Sequence, residues 1–287
     1  MATRRELQDL THLKLKEAEA LLDAELYDGA VYLGGYVIEF ALKARICRLL
    51  DLESYPEEQR LRAAFAVHDL EQLLQLSGLQ SRLETGPSVK PNWDAVRIWN
   101  PEIRYKPRGT FPREQARTFL EAIRRPAGLG RASDALPGDG RCQPGSRGTM
   151  ITRRELQELA RLRLQEAEAL LAAGLCEGAV YLGGYVIEFA LKACICRLLD
   201  LETYPDQPRL RAAYTVHDLK QLLQLSGLHA KLERDPNIEP NWVELQRWSP
   251  EVRYAPHGTF SREGATRFLD AIRDPEHGVF AWMIRHW

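Results

Sequence analysis

The sequence predicts an all-α protein made of two tandem up-and-down helical bundles, and three observations carry that expectation. The 287-residue chain aligns with itself without a gap when shifted by 149 positions. About two-thirds of the aligned residues are identical, at a period far too long for a solenoid. Apolar residues recur at helical spacing through each copy, with no convincing strand alternation. The expected divisions are a bundle at 1–125, a linker at 126–149, a second bundle at 150–274 and an aromatic tail at 275–287. The linker is rich in Gly, Pro, Arg and Ser, and a tether of that kind spans several tens of ångströms. The two bundles are therefore expected to pair face to face as an intrachain pseudo-dimer.

Each copy is expected to hold four long helices and one short one. Arg4 to Glu25 sets Leu7, Leu10, Ala18, Leu21 and Leu22 on one broad face, an amphipathic first helix. The second runs from about Asp28 to Leu50, and its Gly34-Gly35 pair permits close approach of a neighbour. Tyr55-Pro56 starts a connection. A third helix covers about His68 to Leu76 and stops at Ser77-Gly78. Pro91-Asn92-Trp93 opens a short helix to Trp99, Pro101 to Pro107 is irregular, and Phe111 to Arg124 is the last helix.

Composition sets bounds on function. The formal net charge is −1, which argues against strong nonspecific nucleic-acid binding, since that needs a basic surface. Local charge is less even, because Arg97 to Arg125 carries eight basic residues against three acidic ones. The start has no signal-peptide pattern, and the apolar run from Ala30 to Leu50 holds Glu39, Lys43, Arg45 and Arg48, so no membrane span is expected. A cytoplasmic location is expected by default. Cys47 and Cys196 match between copies, whereas Cys142, Cys176 and Cys194 do not, which suggests reduced thiols. No metal ligand set and no cofactor is expected.

Several polar groups repeat in register. Tyr32, Tyr36, Glu39 and Lys43 recur as Tyr181, Tyr185, Glu188 and Lys192, spaced i, i+4, i+7 and i+11. They lie within about 40° of one line on the second helix. That stripe is either a partly buried network or one wall of a polar pocket. Of seven histidines, only His68 has a histidine, His217, at the matching position. It is the natural acid or base near neutral pH, although His68-Asp69 also sits where a helix begins. Arg104-Tyr105 and Arg253-Tyr254 lie in Pro-bounded segments. They would suit phosphate and base contacts, or they pin a loop. Phe280, Trp282, Met283, Ile284 and Trp287 make the tail too apolar for a free end, so it packs on a domain or interface or docks a partner.

Three segments in order, AVYLGGYVIEFALKARICRLL, VHDLEQLLQLSGL and EIRYKP, found again as AVYLGGYVIEFALKACICRLL, VHDLKQLLQLSGL and EVRYAP, resemble the prokaryotic HEPN domain. The resemblance covers nearly all of each copy and none of the linker. It implies a helical bundle that dimerises and a role in toxin–antitoxin or defence systems. It also implies either metal-independent RNase activity or binding of nucleotide, and often a small nucleotidyltransferase as partner. Arg62-x5-His68 and Arg211-x5-His217 fall within the Arg-x4–6-His pattern of HEPN ribonucleases. There the His handles protons and the Arg steadies phosphate. On a continuous helix those two positions differ by about 240°, so they converge only if the chain bends between them or across paired domains. The leading expectation is a nucleotide- or RNA-binding protein with His68, Arg62, His217 and Arg211 as catalytic groups. The alternative is a non-catalytic interaction module that holds a nucleotidyltransferase.

Overall fold

The computed structural model describes residues 2–56, 68–86, 89–124, 151–205 and 216–287. Arg62, Arg211, Cys142 and the linker lie outside the described residues. Those described are all-helical, with thirteen α-helices, two 3-10 turns and only the isolated bridges Thr3–Ser54 and Thr152–Thr203.

The first copy begins with α1 (Arg4–Asp23) and α2 (Tyr27–Leu49). Thr3 caps α1 by accepting from the Glu6 N–H at 3.2 Å, and the Glu6 carboxylate accepts from the Thr3 N–H at 2.7 Å. This reciprocal box satisfies two of the helix's orphan donors, and Thr152 and Glu155 repeat it. Next come α3 (Leu70–Leu76), α4 (Gln80–Thr85), α5 (Lys90–Val96), a 3-10 turn (Pro101–Tyr105) and α6 (Arg113–Arg124). The second copy repeats the order as α7 (Arg153–Ala172), α8 (Cys176–Leu198), α9 (Leu219–Leu225), α10 (His229–Glu233), α11 (Glu239–Leu245), a 3-10 turn (Pro250–Tyr254) and α12 (Arg262–Arg273).

The expected four long helices per copy are not what forms. Two are long, at 20 and 23 residues, and the last has 12. The third is cut to seven residues by its own punctuation. Asp69 accepts from the Gln72 N–H at 2.9 Å and starts it, and Gly78 at φ 68° ends it. The segment expected to be irregular after Pro101 winds into the 3-10 turn.

The second helix of each copy is the axis of its core. From Ala30 to Tyr36 and from Gly178 to Cys196 every residue is buried. α1 and α6 pack on α2, as α7 and α12 pack on α8. A Cβ on Gly35 would lie 2.0 Å from Trp99 Nε1, so the indole lies directly on bare backbone, and the same holds at Gly184 and Trp248. Trp99 Nε1 donates to the Tyr32 carbonyl at 3.0 Å. α8 is long and apolar enough to cross a bilayer, yet its whole apolar window is buried inside the protein.

The tail forms α13 (Val279–Ile284), with Val279, Phe280, Trp282 and Met283 buried against α8 and α12. It packs on its own copy, the first of the options its sequence offered. Cys47, Cys176, Cys194 and Cys196 are buried free thiols.

Candidate functional site

The polar stripe of α2 meets that of α8 directly. Tyr32 and Tyr181 hydroxyls lie 2.7 Å apart, and Tyr36 is 3.3 Å from each. All four stripe tyrosines are fully buried. Of the two readings open for the stripe, its tyrosine half is therefore a packed seam and not a pocket wall. Tyr32, Tyr36, Tyr181 and Tyr185 offer no accessible face to a nucleotide, because a neighbouring ring covers each: Tyr36 packs edge-on to Trp99 at 5.0 Å and Tyr185 to Trp248 at 4.9 Å.

The lower half of each stripe reaches a histidine. Lys43 Nζ donates to Glu39 at 2.8 Å, and His68 Nδ1 lies 3.0 Å from both carboxylate oxygens. In the other copy Lys192 donates to Glu188 at 2.7 Å, and His217 Nδ1 is 2.9 Å from the carboxylate. The acids and lysines are buried, whereas the imidazole side chains are 37 % and 33 % exposed. Burial works against charge on Glu39, but Lys43 and then His68 outweigh it and hold the carboxyl below its ordinary range. The same balance with Lys192 and His217 brings Glu188 down to about 2. Both lysines are pushed up, because their carboxylate partners outweigh the cost of burial. An ionised carboxylate only accepts, so it selects the tautomer with the proton on Nδ1. The lone pair then sits on Nε2, the arrangement a general base requires.

Each cluster also receives a residue from the other copy. Lys192 Nζ donates to the Tyr105 hydroxyl at 3.2 Å, and that hydroxyl is 3.4 Å from Glu188. Lys43 Nζ donates to the Tyr254 hydroxyl at 3.4 Å. The rings seat on Phe189 and Phe40, with centroids 5.5 and 5.4 Å apart. The loops that follow the 3-10 turns carrying these tyrosines are held by the long helices of their own copies. Asp28 accepts from the Gly109 N–H at 2.6 Å and the Phe111 N–H at 3.0 Å, and Glu177 plays the same part for Gly258 and Phe260. Thus Tyr105 and Tyr254 are placed by one copy and used by the other.

Arg104 and Arg253 do not join these clusters as phosphate ligands. Arg104 donates to the Pro101 carbonyl at 3.1 Å and to Glu102 at 3.0 Å, and its guanidinium stacks 4.7 Å from the Tyr105 ring. Arg253 stacks likewise on Tyr254 at 4.9 Å. Only 11 % and 14 % of these side chains are exposed, so each braces its 3-10 turn. Arg62 and Arg211 fall outside the described residues.

Sequence reasoning missed two features. Tyr55 and Tyr204 lie 5.1 and 5.4 Å from Lys43 and Lys192, and their identity in register was a usable signal. Lys14–Glu17 and Arg163–Glu166 are buried ion pairs reaching across the copies. Lys14 lies 5.3 Å from the Tyr181 ring and Arg163 lies 5.2 Å from that of Tyr32. A charged pair at i,i+3 on an amphipathic helix reads as solvated, so nothing in the sequence marked these as internal. Among the described residues no group of three His, Cys, Asp or Glu side chains is placed to hold a metal ion. A comparison with protein-family models found no match to this chain, and comparisons with curated proteins and with solved structures found none either.

Proposed function

We propose that the chain is a cytoplasmic tandem HEPN protein whose two bundles pair within the chain as a pseudo-dimer. In this reading it binds nucleotide or RNA at two equivalent sites, in a toxin–antitoxin or defence setting. The observation that carries it is the reciprocal cluster: Glu39, Lys43 and His68 with Tyr254 of the other copy, and Glu188, Lys192 and His217 with Tyr105. A histidine oriented by a buried carboxylate, with its edge in solvent, suits proton transfer to a substrate that docks from outside.

The reaction that fits is metal-independent cleavage of RNA. His68 Nε2 takes the proton of a 2′-hydroxyl, and the 2′-oxygen attacks phosphorus. The bond from phosphorus to the 5′-oxygen breaks, and the imidazolium returns the proton to that oxygen. The products are a 2′,3′-cyclic phosphate and a free 5′-hydroxyl. The HEPN resemblance assigns phosphate contact to Arg62 and Arg211. Incubating purified protein with labelled RNA in EDTA tests this. The wild type cleaves, and His68→Ala/His217→Ala does not while keeping its helical circular dichroism. Equal cleavage by both proteins contradicts the assignment.

Two observations favour a second reading. The stripe tyrosines are wholly buried and the net charge is −1, as suits a non-catalytic module that holds a small nucleotidyltransferase. A stable complex on co-expression with such a protein, unaffected by the double-His variant, supports it.

A further inference from the structure

A cavity of about 500 Å³ opens on the first copy, between α1 and α2, lined by Arg4, His12, Ala41, Ala44, Arg45 and Arg48 among others. Shifted by 149 positions, the same groove exists on the second copy, and there it is filled by the tail. The Arg161 guanidinium lies 5.0 Å from the Trp287 ring, and Arg197 donates to the Trp287 carbonyl at 3.2 Å. Cys194 Sγ approaches the Met283 carbonyl at 4.0 Å. Burial records the difference. Ile187 and Ala190, on the helix against which the tail packs, are 0 % exposed, whereas their counterparts Ile38 and Ala41 are half-buried and exposed.

The two copies align through Pro126 and Pro275 and then part. Residues 126–149 contain no Phe, Trp or Tyr, so the chain brings no aromatic segment of the tail's kind to the first groove. Chemistry at the groove has also changed. Arg45 stands where the second copy has Cys194, and it is fixed at the rim by donating from Nε to the Ser77 carbonyl at 3.1 Å. The tail itself carries Arg285 and His286. Arg45 gives the first groove a second guanidinium beside Arg48, so a segment with acidic side chains is favoured over a second chain's tail, whose helix is followed by the basic Arg285.

We propose that this groove docks an amphipathic helical segment of a partner protein, with an aromatic face for Ile38 and Ala41 and acidic side chains for Arg45 and Arg48. This is helix-in-groove recognition, with its geometry displayed on the other half of the same chain. It is independent of the chemistry at His68 and His217.

The test uses the full chain and a fluorescent peptide with the sequence of residues 275–287 carrying Arg285→Glu and His286→Glu, followed by anisotropy. Saturable one-to-one binding is expected, about tenfold weaker to Arg45→Glu/Arg48→Glu. Binding is expected to be lost with Ala41→Trp, which fills the groove from an exposed position and leaves the circular dichroism unchanged. Absence of binding, or binding that neither variant alters, overturns the proposal. So does equal affinity for the unaltered tail peptide, or tail-dependent dimerisation in sedimentation, since either makes a second copy the occupant. A labelled single-stranded RNA that binds at the groove in place of the peptide overturns it as well.

Discussion

Tyr32 and Tyr181 occupy the same position in the two copies and meet hydroxyl to hydroxyl at 2.7 Å, at the centre of a buried tyrosine seam. A buried hydroxyl left without a partner costs about 1–3 kcal/mol. Tyr32→Phe leaves Tyr181 its 3.3 Å contact with Tyr36 and is expected to cost less than that, whereas Tyr32→Phe/Tyr181→Phe takes away both partners of the buried Tyr36 hydroxyl and is expected to cost more than the two single changes combined. Urea denaturation of the four proteins measures it; strictly additive losses would show that the hydroxyls do not act together.

Gly35 has no room for even a methyl group. A Cβ there would lie 2.0 Å from Trp99 Nε1. Gly35→Ala should destabilise the chain although it raises helix propensity by about 1 kcal/mol, because the indole has no space to retreat in a packed core. A rise in melting temperature would show that Trp99 can move.

Glu188 makes the protein sensitive to acid. Its folded-state carboxyl titrates at about 2, below the ordinary 4.5, so the folded state binds this proton less tightly than the unfolded chain. The stabilisation is present above pH 4.5 and is lost as pH falls toward 2. Glu188→Gln should be less stable than wild type at neutral pH, by about 3–5 kcal/mol if Lys192 is left uncompensated, and should flatten the acid limb of the stability profile. Parallel acid limbs would contradict the assignment.

Glu166 acts in the opposite sense. Burial raises its carboxyl to about 7, and neither the Arg163 contact nor the Gly29 N–H offsets that. The folded state then binds the proton more tightly than the unfolded chain, so stability falls as pH rises from 4.5 to about 7. Glu166→Gln should remove that decline between pH 4.5 and 7 in thermal melts. An unchanged slope would place its origin elsewhere.

Much of this was legible in the residues. Helical spacing and the Ser77-Gly78 stop are local signals, and they fall where expected. The stripe from Tyr32 to Lys43 was legible as a line but not as what it faced. Its upper half meets its own copy in the second bundle, and contacts between copies have no local pattern. Tyr105 and Tyr254 were picked out for their setting beside arginine. Their use by the opposite copy depends on how the two 3-10 turns are presented, which spacing along one copy does not encode. The count of four long helices was too high: the second helix has the expected length, whereas the Asp69 cap and Gly78 hold the third to seven residues.

The reciprocal placement of Tyr105 and Tyr254 gives the most direct test of paired, mutually completed sites. RNA cleavage in EDTA should be compared for His217→Ala/Tyr105→Phe and His217→Ala/Tyr254→Phe. The first strikes one site twice and leaves the other whole, so it should keep about half the wild-type rate. The second strikes both sites and should fall well below that. Equal residual rates, or no cleavage by the wild type, would contradict the account.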